Sequence, residues 1–114
     1  MTIRVFLVDD QALVRSGFAM LIEAEDDLEV VGEAGDGAAA VRALARTPAD
    51  VVLMDVRMPV MDGVEATQRI MAESPCAIVI VTVDRQQNVH RVFEAMGHGA
   101  LDVVDTPALG AGNP

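Results

Sequence analysis

Val51-Val52-Leu53-Met54-Asp55, followed by Val56-Arg57-Met58-Pro59-Val60-Met61-Asp62-Gly63, decides how the rest of the chain is read. Its opening apolar run is too short for a helix and begins with β-branched residues, which predicts a strand buried on both faces of a parallel sheet. The strand stops at a carboxylate, Asp55. In open α/β sheets ligands bind in the crevice beyond the carboxyl ends of the strands, so an acid there is a candidate for chemistry. Ile3-Arg4-Val5-Phe6-Leu7-Val8 repeats the pattern and runs into Asp9-Asp10.

Working outward, residues 11–24 carry Val14, Phe18, Leu21 and Ile22 at helical spacing, and a short strand is predicted over 29–34. Gly35-Asp36-Gly37 breaks the chain, with Asp36 placed to cap an Ala-rich helix over 38–46. Beyond Asp55, Asp62 with Glu65 three residues later forms an acidic capping box for a helix from 63 to about 72. Ala77-Ile78-Val79-Ile80-Val81 reads as a fourth buried strand ending at Thr82. Val89, Val92, Phe93 and Met96 predict a helix over 86–96, and a fifth strand is expected over 100–104. The alternation predicts right-handed βαβ crossovers in an α/β, doubly wound, flavodoxin-like five-stranded parallel sheet of order 2-1-3-4-5. That order brings Asp9, Asp10 and Asp55 together at the switch point between strands one and three.

At 114 residues the chain is long enough for one domain, and a hydrophobic fraction of 52% excludes disorder. A net charge of −10 with no lysine argues against nucleic-acid binding. No apolar run is long enough to span a membrane and no leader is recognisable at the N-terminus, so a soluble, cytoplasmic location without membrane attachment is expected. Cys76 reads as a small core residue, and the methionines as packing. His90 and His98 read as surface, and Asp62 as a cap rather than a ligand.

Three acids within a few ångström of one another raise each other's pKa unless a counter-charge is present. Mg²⁺ suits a site of carboxylates, a backbone carbonyl and waters. Asp55, deepest between flanking strands, is the candidate nucleophile, because a carboxylate can accept a phosphoryl group as an acyl phosphate. Thr82, at the end of the neighbouring strand, can offer its hydroxyl to a phosphoryl oxygen.

In this order and spacing, Asp9-Asp10, Asp55, Met58-Pro59-Val60-Met61-Asp62-Gly63, Thr82 and Gly99-Ala100 resemble the receiver domain of two-component response regulators. The resemblance implies a receiver over residues 1–107 with a short tail or truncated linker over 108–114. It implies Mg²⁺ held by Asp9, Asp10, Asp55 and the backbone carbonyl of Arg57. Asp55 would take a phosphoryl group from a sensor histidine kinase, and Thr82 would respond and relay the change to a downstream effector domain or protein. A domain of this kind is expected to be a phospho-acceptor and not otherwise an enzyme. The likeness is divided: residues 1–69 look like receivers of LuxR-type transcriptional regulators and 71–110 like those of receptor methylesterases, as in a hybrid of two halves.

Three departures bear on function. Thr106 stands where the family has a lysine, Val83 where a small residue is usual, and Val103 where an aromatic ring is common. Arg57 and Arg85 are candidates to lend the missing charge. A pseudo-receiver that docks partners without being phosphorylated is the alternative function. Haloacid-dehalogenase-type chemistry is disfavoured because Arg57 occupies the place of its second acid, and flavin binding because the first strand leads into acids. Only seven residues follow Pro107, so the usual fifth helix is expected to be missing. A face left open in this way predicts a chain cut from a longer protein, or one that forms a homodimer or exchanges segments.

Overall fold

The computed structural model describes residues 1–106, and the strand–helix alternation appears in full over them. Its elements are β1 (Ile3–Val8), α1 (Ala12–Glu23), β2 (Leu28–Ala34), α2 (Gly37–Arg46), β3 (Val51–Asp55), α3 (Gly63–Glu73), β4 (Ala77–Thr82), α4 (Val89–Gly97) and β5 (Asp102–Asp105). All strand pairs are parallel and the order is β2-β1-β3-β4-β5, the flavodoxin-like arrangement. The expected absence of a fifth helix, and the tail over 108–114, lie outside the described residues.

Successive side chains of a strand point to opposite faces, and the two faces build separate cores. Phe6, Val8, Val52, Met54, Ile78 and Ile80 pack beneath Ala40 and Leu44 of α2, Ala66 and Ile70 of α3, and Val92 and Ala95 of α4. Val5 and Leu7 point the other way, against Ile22 and Phe18 of α1.

Two helices start where the sequence placed their caps. The Asp36 side chain accepts from the Ala39 amide at 2.8 Å, and Asp62 from the Glu65 amide at 3.0 Å. Gly63 then lies so close to the end of β3 that a Cβ there would collide with the Asp55 carbonyl. Glycine is therefore what lets α3 leave directly beneath the acid.

The structure corrects the sequence reading at α4, β5 and two apolar stripes. Residues 86–88 form a turn instead of the first turn of α4, because Asp84 Oδ1 accepts from the Gln86 and Gln87 amides, both at 3.1 Å. Side-chain bonds of this kind compete with helix. β5 begins at Asp102 instead of 100, after Gly99 turns the chain at φ 111°. Leu21 in α1 and Phe93 in α4 sit at core-like spacing yet are 49% and 70% exposed, since each helix buries only a narrow stripe.

Candidate functional site

Parallel register sets the tips of the central strands level. Val8 is opposite Met54, Asp55 opposite Val81, and Thr82 opposite Asp105. Asp9 and Asp10 follow β1 directly, so the acids of strands one and three meet at the sheet's edge. One carboxylate oxygen each from Asp9, Asp10 and Asp55 lie within 4.8 Å of one another. Asp9 and Asp55 are half-buried, while Asp10 is exposed.

Each half-buried acid is held by a backbone amide two residues on. Asp9 Oδ1 accepts from the Gln11 amide at 2.9 Å, and Asp55 Oδ1 from the Arg57 amide at 3.2 Å. Arg15 reinforces the first turn, donating to the Asp9 carbonyl at 2.6 Å and to Glu33 at 3.0 Å. These bonds do not relieve the crowding. Burial pushes the Asp55 carboxyl up to about 6, with the charges of Asp9 and Asp10 adding to it and the Arg57 amide opposing. Asp9 is raised as well, first by burial and then by Asp10, against the pull of the Gln11 amide and the Arg15 charge. A hard divalent cation is the counter-charge such an oxygen set accepts.

The acids open onto a cavity of about 190 Å³ that is also lined by Thr82, Asn88 and Thr106. Arg57 lines it too, so the residue expected to offer a backbone carbonyl is at the site. Thr82 is 2% exposed, and its carbonyl accepts from the Thr106 amide at 2.9 Å, which fixes Thr106 beside it. Val83 stands at the rim and is 82% exposed, so it borders the opening rather than filling it. Arg85 is not among the residues lining the cavity and pairs with Asp105 at 3.2 Å. A larger groove of about 660 Å³ between α3 and α4, lined by Glu65, Glu73 and Glu94, includes none of these acids.

Two polar residues beside the site were not singled out from sequence. Asn88, just before α4, is 5% exposed and donates through Nδ2 to Thr82 Oγ1 at 2.8 Å. Its place at the join of a polar stretch and a helical period was the available signal. Arg91 donates to Asp62 Oδ2 at 2.7 Å, which ties α4 to the cap of α3. Val60, in the loop behind Asp55, has φ 68°, a conformation that costs a β-branched residue on the order of 1–2 kcal/mol.

Comparison with known proteins gives a consistent likeness. A family model for the response regulator receiver domain matches residues 5–108. A protein of Pseudomonas fluorescens (strain Pf0-1) named protein-glutamate methylesterase/protein-glutamine glutaminase 1 is 64% identical over 111 residues, covering 97% of this chain and 33% of that protein. One of Pseudomonas aeruginosa with the same activities in its name is 61% identical over 111 residues, again with 97% and 33% covered. The chain thus spans about a third of the length of these relatives. Among solved structures, the response regulator domain of Thermotoga maritima CheB superposes with a TM-score of 0.88 at 34% identity, covering 95% of this chain and 81% of that one. A LuxR-family response regulator of Aurantimonas sp. SI85-9A1 superposes at 0.83 with 36% identity, covering 92% and 74%. Both kinds of receiver expected from the sequence are therefore among its neighbours, and the methylesterase likeness runs through both halves of the chain. The expectation of a protein that is not an enzyme is corrected by the relatives' names, which are those of enzymes.

Proposed function

The chain belongs to the response regulator receiver domain family, and from that premise we propose that Asp55 accepts a phosphoryl group from a sensor histidine kinase. The observation that carries this is the approach of the Asp9, Asp10 and Asp55 carboxylates to within 4.8 Å at the tips of adjacent strands. Asp55, with a pKa of about 6, is mostly ionised at neutral pH and available as a nucleophile. Its oxygen forms the new P–O bond as the donor's P–N bond breaks and the imidazole leaves. The Thr82 hydroxyl donates to a phosphoryl oxygen, and Thr106 offers a weaker donor in place of the family's lysine.

Asp9, Asp10, Asp55 and the Arg57 carbonyl are the residues that would hold Mg²⁺, which when bound supplies positive charge to the acids and to the phosphoryl oxygens. The receiver unit is residues 1–107. Its output is an effector with the protein-glutamate methylesterase/glutaminase activity for which its relatives are named. A pseudo-receiver that only docks partners is the second possibility, favoured by Thr106 at the cavity and the lack of any lysine in the chain.

Incubation with Mg²⁺ and acetyl phosphate, followed by intact-mass measurement, separates the two. The acceptor takes up one labile phosphoryl group, lost in Asp55→Asn and in Asp10→Ala. An unchanged mass at saturating phosphodonor supports the docking module instead.

A further inference from the structure

We infer that Asn88 is a positioning residue for the switch threonine: its side-chain amide occupies the acceptor side of the Thr82 hydroxyl and so directs that hydroxyl's single proton toward the cavity where a phosphoryl group on Asp55 would lie. This deepens the phospho-acceptor assignment and rests on it.

The orientation of the Asn88 amide follows from its partners. Nδ2 lies 2.8 Å from Thr82 Oγ1 and 2.9 Å from the Asp84 carbonyl oxygen. Turning the amide over would place Oδ1 against a carbonyl oxygen, two acceptors with no proton between them. Nδ2 therefore faces both groups, and each of its two protons has an acceptor. Thr82 Oγ1 accepts in this pair. A hydroxyl has one proton to give, so that proton is left for the remaining direction.

That direction is the cavity. Thr82, Asn88 and Asp55 line the same space of about 190 Å³, with Thr106 beside them. A hydroxyl that already accepts a hydrogen bond is also a stronger donor, because bonds in a chain polarise one another.

Helix α4 provides a second, independent observation. Asn is among the best residues for starting a helix, and Asn88 occupies the position before Val89. Yet it makes no side-chain cap: α4 begins without one, and the amide is turned back to β4 instead. Asn88 is also held as a rigid link, its own amide donating to the Asp84 carbonyl at 3.2 Å and its carbonyl accepting from Val92 at 2.9 Å.

The test combines a structural readout with a kinetic one. In NMR spectra recorded without Mg²⁺ or phosphodonor, the Asn88 Nδ2 proton signals shift in Thr82→Val, which removes the acceptor but keeps the shape. In uptake from acetyl phosphate, Asn88→Ala slows the initial rate about five- to tenfold, the worth of one hydrogen bond, while adding nothing further in a Thr82→Ala background. If Asn88→Ala does not fold, Asn88→Asp keeps the shape and suits a helix start; its added charge slows both backgrounds, and the excess seen only with Thr82 present is the readout. Unmoved amide signals, or equal slowing with and without Thr82, would overturn the inference and leave the acceptor assignment standing. A native chain that takes up no phosphoryl group while the amide signals move would support the pairing and end the acceptor assignment.

Discussion

Arg91, in the first turn of α4, donates to Asp62 Oδ2 at 2.7 Å, while the other oxygen of the same carboxylate caps α3 through the Glu65 amide at 3.0 Å. One side chain thus joins the start of one helix to the start of the next, beside the loop that follows Asp55. The pair is partly exposed, at 42% and 31%, so its ionic part is worth less than about 1 kcal/mol.

The two halves of that junction separate by mutation. Asp62→Ala loses cap and ion pair together and destabilises by about 1–2 kcal/mol. Asp62→Asn keeps the cap and, like Arg91→Ala, costs under about 1 kcal/mol. Urea unfolding of the three variants checks the ranking; equal losses in all of them would mean that the ion pair dominates.

Stability without divalent cation falls as pH rises from about 4 to about 7. The Asp55 pKa is raised to about 6 in the folded chain from an ordinary 3.8, so the folded state holds a proton that the unfolded state has already released. The contribution is fully present below the unfolded value and lost as pH passes through the folded one. At this partly exposed carboxyl, solvent screening reduces it to on the order of 1 kcal/mol. Thermal melts in chelator between pH 4 and 8 should show the slope in the native chain and a flatter profile, with a higher midpoint at pH 7, in Asp55→Asn. Adding Mg²⁺ should raise the native midpoint at pH 7 and leave it nearly unchanged at pH 4.

Gly63→Ala should cost about 3 kcal/mol, the upper end of overpacking penalties, because the new methyl meets the backbone of Asp55 and Val56, which cannot swing aside. Gly97→Ala is the contrast, since nothing lies within 4 Å of a Cβ there. Chemical denaturation of both variants tests this, with the Gly63 change alone also slowing phosphoryl uptake through displacement of Asp55.

Thr106→Lys should accelerate uptake about tenfold or more. The position lines the cavity and its backbone is fixed on Thr82, so a charged donor there would reach charge developing on the transferred group. Initial rates with acetyl phosphate measure it; an unchanged rate would show that charge from this position is not limiting.

Much of the molecule is legible in its sequence. Strand and helix periods, the caps at Asp36 and Asp62, and acids at the ends of β1 and β3 are properties of consecutive residues. With the βαβ handedness rule they led to sheet order and to the meeting of Asp9, Asp10 and Asp55. The start of α4 was not legible, because Asp84 captures two amides that the apolar period assigned to a helix. Neither was the exposure of Phe93 and Leu21, since periodicity identifies a stripe but not its width.

By itself, then, the sequence determined the layered α/β architecture and which carboxylates converge, because backbone propensity and burial period act locally and the crossover rule leaves few topologies. Only the tertiary structure decided that Asn88 serves Thr82 instead of its own helix, that Arg91 pairs with Asp62, and that Arg85 faces Asp105. Such polar pairings depend on where a loop places the end of a side chain. A displacement of a single ångström makes or breaks them, and no pattern of residue types along the chain encodes that distance.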